Sequence, residues 1–237
     1  MNSNDSERPD VQVRFYFDPL CPWCWITSFW LDEVAPHRDL EVDWRSISLL
    51  VRNEGRDVDP EYAERYLPAM QRSFGLLRIV EALRADGHAD RIRDVYVAFG
   101  RHFHQPDAES GEAGLDFDIA EALRSAGVDD GYAKAYDDTA YDAAVRASTR
   151  EAEEVAGDDV GTPIVAVQVG DEWKGYFGPV IPSVIRGDEA LRLWDGLAAL
   201  VQTEGFYELK RTRTVGPQLE TVPLDQRRPA GPGRQSD

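Results

Sequence analysis

Cys21-Pro22-Trp23-Cys24 holds the only two cysteines of a 237-residue chain. The pair sits between an apolar run, Val11 to Phe17, and a helix-like stretch, Trp25 to Val34. At such a strand-to-helix junction the first thiol caps a helix N-terminus, where unpaired backbone N–H groups and the helix dipole favour a thiolate. The second thiol lies three positions on, near enough to close a disulfide. Three other readings compete: a structural disulfide, half of a zinc site, and two inert buried thiols. A four-residue loop closes almost no chain, so a structural disulfide there stabilises little. The second cysteine pair that would complete a zinc tetrahedron is missing from the sequence. A redox-active dithiol is therefore expected, with Cys21 as nucleophile and Cys24, one turn into the helix, as the buried resolving thiol. Pro22 suits the first helical position, where its missing N–H costs nothing.

Outward from the dithiol, Val11 to Phe17 reads as a first strand and Leu40 to Val51 as a second with a buried apolar end. With the helix between them they make a parallel pair joined by a right-handed crossover. From Pro60 to about Gly157 the pattern turns helical. Leu67, Met70, Phe74, Leu77, Val80 and Leu83 recur at spacings of three and four, as do Ile92, Val95, Tyr96 and Phe99. Further helices are expected at Phe117 to Ser125 and Tyr141 to Val155. Pro163 to Val169 returns as a strand, Glu172 to Tyr176 pairs with it through the Gly170-Asp171 turn, and Glu189 to Val201 closes the fold as a helix. This order predicts an α/β protein with a thioredoxin fold split by an all-helical insertion, the DsbA-like arrangement. Residues 11–58 and 158–205 form the thioredoxin-like domain and 59–157 the inserted helical domain. A C-terminal extension, 206–237, is rich in Pro, Gly, Gln and Arg from about Gly216 and is expected to be largely disordered from there.

The formal net charge of −18 repels polyanions and anionic membrane surfaces, which excludes nucleic acid and membrane as partners. The opening, Met1 to Asp10, has no apolar core, and no stretch has the length of a membrane span, so a cytoplasmic location is expected. In that reducing compartment a Cys-x-x-Cys pair is catalytic rather than structural. Whether the chain forms a homo-oligomer is left open.

Thr162-Pro163 directly precedes a buried strand. With a dithiol upstream, the reading is a cis turn beside the sulfurs, leaving the Thr162 backbone to meet an extended substrate, in preference to a trans proline at the strand's first residue. Trp23, between the sulfurs, is either an aromatic platform for a flat substrate or a partly exposed packing residue. Trp25, Phe29 and Trp30 belong to the core. Asp18 reads as a turn residue before Pro19 rather than as an acid/base. Phe15, six residues before Cys21, offers no carboxylate, so the Cys24 proton must be managed otherwise. His102 and His104 fall on different helix faces, which argues against a shared metal, and no metal site is expected. Of the two, His104 is the candidate to face the cleft as a proton donor, although a solvated surface histidine is the stronger reading. Asn53 and Tyr62 follow the second strand and border the same cleft as loop residues.

A wider motif set carries a resemblance. The run Phe17-Asp18-Pro19-Leu20-Cys21-Pro22-Trp23-Cys24-Trp25-Ile26-Thr27-Ser28, with Asp159-Val160-Gly161-Thr162-Pro163, Phe177-Gly178-Pro179-Val180 and Glu208-Leu209-Lys210-Arg211-Thr212-Arg213-Thr214, closely resembles the actinobacterial mycothiol-dependent nitroreductases of the DsbA-like group. The likeness spans about residues 11 to 215. It implies a cytosolic reductase whose cysteine pair is recharged by the small thiol mycothiol, or by a mycoredoxin-like or thioredoxin-like reductant. Such an enzyme reduces disulfides or nitro-aromatic molecules without a tightly bound cofactor. Carried over by matching positions, Cys21, Cys24, Trp23, Asn53, Tyr62 and Pro163 are its site residues. The chain departs from the family at His104-Gln105-Pro106 and Ser148-Thr149. The rival readings are a FrnE-like protein disulfide oxidoreductase or isomerase, and a binding module gated by the redox state of its dithiol.

Overall fold

Val13, Phe15 and Phe17 point to one face of the first strand and Tyr16 to the other, and all four are fully buried. That burial on both faces makes β1, Val11–Phe17, a central strand. In the computed structural model, which describes residues 11–56, 59–105 and 116–223, the sheet has four strands in the order β2-β1-β3-β4. β2, Leu40–Ser46, runs parallel to β1 with Trp44 opposite Phe15. β3, Ile164–Val169, runs antiparallel on the other side with Val165 opposite Phe15, and β4, Glu172–Phe177, forms the far edge.

α1, Pro22–Arg38, is the crossover between β1 and β2. Trp30 on α1 packs against Trp194 of α7, Gly187–Val201, and its indole N–H donates to the Ala190 carbonyl at 3.2 Å. The opposite face of the sheet is covered by α6, Asp142–Ala156. There Ala152 joins Tyr16, Ile47, Ile164 and Ala166, and Glu151 pairs with Arg14 and Arg45.

Between β2 and α6 lie α2, Leu49–Asn53; α3, Pro60–Ala85; α4, Ile92–His104; and α5, Ile119–Ser125, with short 3-10 turns between them. Their apolar faces meet the sheet directly: Tyr96 on α4 lies 4.3 Å, ring to ring, from Phe17 and 5.7 Å from Trp25. One buried cluster therefore runs from β1 through α1 into α3 and α4. Gly100 makes this closeness possible, because a Cβ there would stand 2.2 Å from the Trp25 ring.

Three expectations are corrected. The second strand stops at Ser46 rather than Val51. Ile47 N–H still reaches the Phe17 carbonyl, but the Ser48 side chain then accepts from Val51 N–H and starts α2, so the apolar Leu49-Leu50-Val51 run is helical. Leu67 is 43% exposed, whereas the other five residues of its stripe are buried. The chain from Gly216 is ordered as far as it is described: Gln218 N–H donates to the Pro182 carbonyl, a 3-10 turn covers Leu219–Thr221, and Val222 is buried. The expected disorder of 224–237, and the Pro106 departure, lie outside the described residues.

Candidate active site

Cys21 is the N-cap of α1, with Pro22 at the first helical position. Its sulfur accepts from the Cys24 N–H at 3.4 Å, so one of the orphan amides of the helix start is taken up by the thiol. Both cysteines are reduced and buried. Burial pushes the Cys21 thiol up, but hydrogen bonds from the Cys24 thiol, from the Thr162 side chain and from the Cys24 backbone outweigh it and leave the group below its ordinary value. Cys24 moves the other way: burial first, then the hydrogen bond and charge of Cys21, hold its thiol well above the ordinary value. The two thiols are thus pushed in opposite directions, Cys21 towards the thiolate and Cys24 towards the protonated form.

The Thr162–Pro163 bond is cis, and the Cys21 thiol lies 3.7 Å from the Thr162 carbonyl, to which it donates. Gly178–Pro179 is a second cis bond. The Pro163 carbonyl accepts from Gly178 N–H at 2.8 Å, and the Pro179 carbonyl accepts from the Thr27 hydroxyl of α1 at 2.8 Å. Both proline turns are thereby tied to the helix that carries the dithiol.

Asp18 is 1% exposed. Its carboxylate accepts from Leu20 N–H at 2.9 Å, closing the turn that the sequence reading expected, but also from Leu49 N–H at 2.7 Å and from the Ser73 hydroxyl. Burial pushes the carboxyl above its ordinary value, with those three hydrogen bonds pulling back. The charge of Asp18 acts on both sulfurs and raises both thiols. A buried carboxylate therefore does stand beside the dithiol, contributed by the turn rather than by the strand position of Phe15. Arg52 of α2 donates to the Asp158 and Val160 carbonyls, which fixes the approach to the proline loop.

His104 is buried rather than solvated, and it does not face an open cleft. Its ring lies 5.4 Å from Trp25, and Nε2 is 2.9 Å from the Pro19 carbonyl. Burial pulls it from 6.5 down to about 4, against the opposing Pro19 hydrogen bond, so near neutrality it is an uncharged donor that braces the dithiol turn. His102 stacks on Phe117, away from His104. Trp23 is half-buried beside the sulfurs. Asn53 ends α2 and Tyr62 lies in the first turn of α3, so both are helical rather than loop residues. The Asn53 amide donates to the Met70 sulfur at 3.4 Å. Tyr62 is 43% exposed, its ring lies 4.6 Å from that of Tyr66 at a tilt, and its phenol is raised by burial, by Tyr66 and then by Cys21. The sequence reading missed Ser73 and Arg52. Ser73 had a signal, because it is a polar residue on the buried stripe of α3.

Sheet order, inserted helices and a reduced Cys-x-x-Cys pair facing a cis-proline loop define a DsbA-like, thioredoxin-fold thiol-disulfide oxidoreductase. Three solved structures share the fold. A putative protein disulfide isomerase from Nitrosomonas europaea matches with TM-score 0.51 and 14% identity, over 80% of this chain and 98% of that one. A probable DsbA oxidoreductase from Streptomyces coelicolor matches with TM-score 0.50 and 20% identity, over 86% and 94%. The cytosolic disulfide reductase DsbM from Pseudomonas aeruginosa matches with TM-score 0.50 and 17% identity, over 80% and 99%. The chain belongs to the Rv2466c-like family, that of the mycothiol-dependent nitroreductase Rv2466c, whose family model matches residues 20–211. An uncharacterised protein of Mycobacterium tuberculosis, Rv2286c, is 26% identical over 210 residues, covering 85% of this chain and 82% of that protein. Among the described residues no helix is long and apolar enough to cross a membrane.

Proposed function

We propose that this chain is a mycothiol-dependent reductase of disulfides or nitro-aromatic small molecules in the cytoplasm, with Cys21 as nucleophile and Cys24 as resolving thiol. The observation that carries the reading is the opposed setting of the two sulfurs, Cys21 favoured as thiolate at the helix start and Cys24 held as a thiol behind it. Against a disulfide, the Cys21 thiolate forms a mixed disulfide and expels one thiolate. Cys24 then gives up its proton, attacks the Cys21 sulfur and expels the second, leaving a Cys21–Cys24 disulfide. Against a nitro group, the same oxidation of the dithiol delivers two electrons and two protons, giving nitroso and water. Mycothiol supplies the two electrons that restore the dithiol, and a mycoredoxin-like or thioredoxin-like protein is an alternative donor.

Trp23, Asn53 and Tyr62 line the approach to the sulfurs on this reading, Thr162 and Pro163 its far wall, and His104 supports the turn. The division into a thioredoxin-like domain, 11–58 with 158–205, and a helical insertion, 59–157, is likewise our proposal and follows from the element order. Turnover of a nitrofuran and of a small disulfide, with mycothiol, glutathione or thioredoxin as electron source, tests the assignment. Mycothiol should sustain turnover that Cys21→Ser abolishes. Oxidation of the dithiol by neither acceptor would refute it.

A further inference from the structure

The chain beyond α7 crosses the active site as a strap. At one end the Tyr176 hydroxyl donates to the Phe206 carbonyl and the two rings pack edge to face. At the other, Gln218 N–H donates to the Pro182 carbonyl at 2.7 Å, the Thr221 hydroxyl accepts from Val184 N–H at 3.1 Å, and Val222 is buried. Residues 207–216 between these anchors are exposed and carry neither helix nor strand. One side chain of this span turns back: the Arg213 guanidinium lies 5.3 Å from the centre of the Trp23 ring, on the residue between the two cysteines. Among the described residues, no carboxylate pairs with Arg213 or with its neighbours Lys210 and Arg211, although the chain carries 44 acidic residues against 26 Lys and Arg. Glu208 is the one acid between Phe206 and Gly216.

A guanidinium resting over an aromatic ring with no carboxylate partner keeps its N–H donors free, and its fork matches a planar group with two oxygens. We propose that Arg213, seated on Trp23, is the substrate-recognition group of this dithiol, receiving the two oxygens of a nitro or carboxylate group on an aromatic electron acceptor. The proposal rests on the reductase reading above for the identity of that acceptor. The electrostatics do not depend on it: in a chain of net charge −18, Arg213 makes the mouth of the site locally attractive to anions.

The test compares charged and neutral reagents of the same chemistry on wild type and Arg213→Gln. Alkylation of Cys21 by iodoacetate against iodoacetamide needs no catalysis. Reduction of dithiobis(nitrobenzoate), which carries a carboxylate on each ring, against neutral dithiodipyridine needs only the dithiol. Arg213→Gln should slow both anionic reagents about three- to tenfold, leave both neutral ones within about twofold, and lose the difference at high salt. Arg213→Lys should keep most of the iodoacetate preference and less of the dithiobis(nitrobenzoate) preference, because the charge stays and the fork goes. Unchanged ratios, or an equal loss with all four reagents, would overturn the proposal. If the ratios shift but mycothiol sustains turnover of neither a nitro compound nor a small disulfide, the anion site stands and the reductase assignment falls. If nitro compounds are turned over but the ratios do not shift, the reductase assignment stands and the anion site falls.

Discussion

Cys21 gains its nucleophilic character from three donors gathered at one sulfur, so its titration should expose them. In Cys24→Ser, where a hydroxyl still donates, the ultraviolet absorbance of the Cys21 thiolate should grow in at a pH below the ordinary cysteine value of roughly 8.5; a midpoint at or above that value would contradict the geometry. Asp18 opposes this, since its charge raises both thiols. Asp18→Asn should therefore lower the Cys21 midpoint while costing about 1–3 kcal/mol of stability, because an amide cannot accept at both ends and the Leu49 N–H is left without its partner. Chemical denaturation alongside the thiolate titration checks both halves. His104 binds protons less readily folded, at about 4, than unfolded, near 6.5. Between those values the unfolded chain holds more protons, so stability falls with falling pH, by about 3 kcal/mol once both are passed. His104→Gln, which can still donate to the Pro19 carbonyl, should flatten that part of the acid limb relative to wild type. Of these residues the dithiol was legible, because its chemistry is local. The wider role of Asp18 was not, because its partners Ser73 and Leu49 stand 55 and 31 positions away.

Elements were readable where periodicity and punctuation agreed. β1 is a short apolar run ended by Asp18-Pro19, and α4 keeps Ile92, Val95, Tyr96 and Phe99 on one buried face. They were unreadable where an apolar run crossed a boundary. Leu49-Leu50-Val51 continues the hydrophobicity of β2, and only the serine before it marks the helix start. The contact between α1 and α4 depends on a missing side chain. Gly100→Ala would drive a methyl into the Trp25 ring, and the fit allows relief only by moving α4 or the helix that bears both cysteines. A loss of about 1–3 kcal/mol is expected despite the better helix propensity of alanine, measured as a lower denaturation midpoint at unchanged slope. An alanine variant as stable as wild type would mean that the two helices are not in this contact.

At the scale of the molecule, the helices inserted between β2 and α6 do not own a separate core: Tyr96, Phe17, Trp25 and Trp44 belong to one cluster. Heating should therefore unfold sheet and insertion in a single transition with matching calorimetric and van't Hoff enthalpies, and two resolved transitions would divide what is drawn here as continuous. Continuity in space is bought with distance along the chain. The carbonyl that faces Cys21 belongs to Thr162, 141 positions later. At synthesis rates of about 5–20 residues per second, a ribosome needs about 7–30 seconds to travel that far. During that interval the newborn chain has already made both thiols and has not yet made the wall, the proline loop or the cationic strap that will shelter them. The dithiol is thus made 141 positions before the loop that faces it, and until that loop emerges nothing in the chain can hold the Cys21 sulfur in its finished setting.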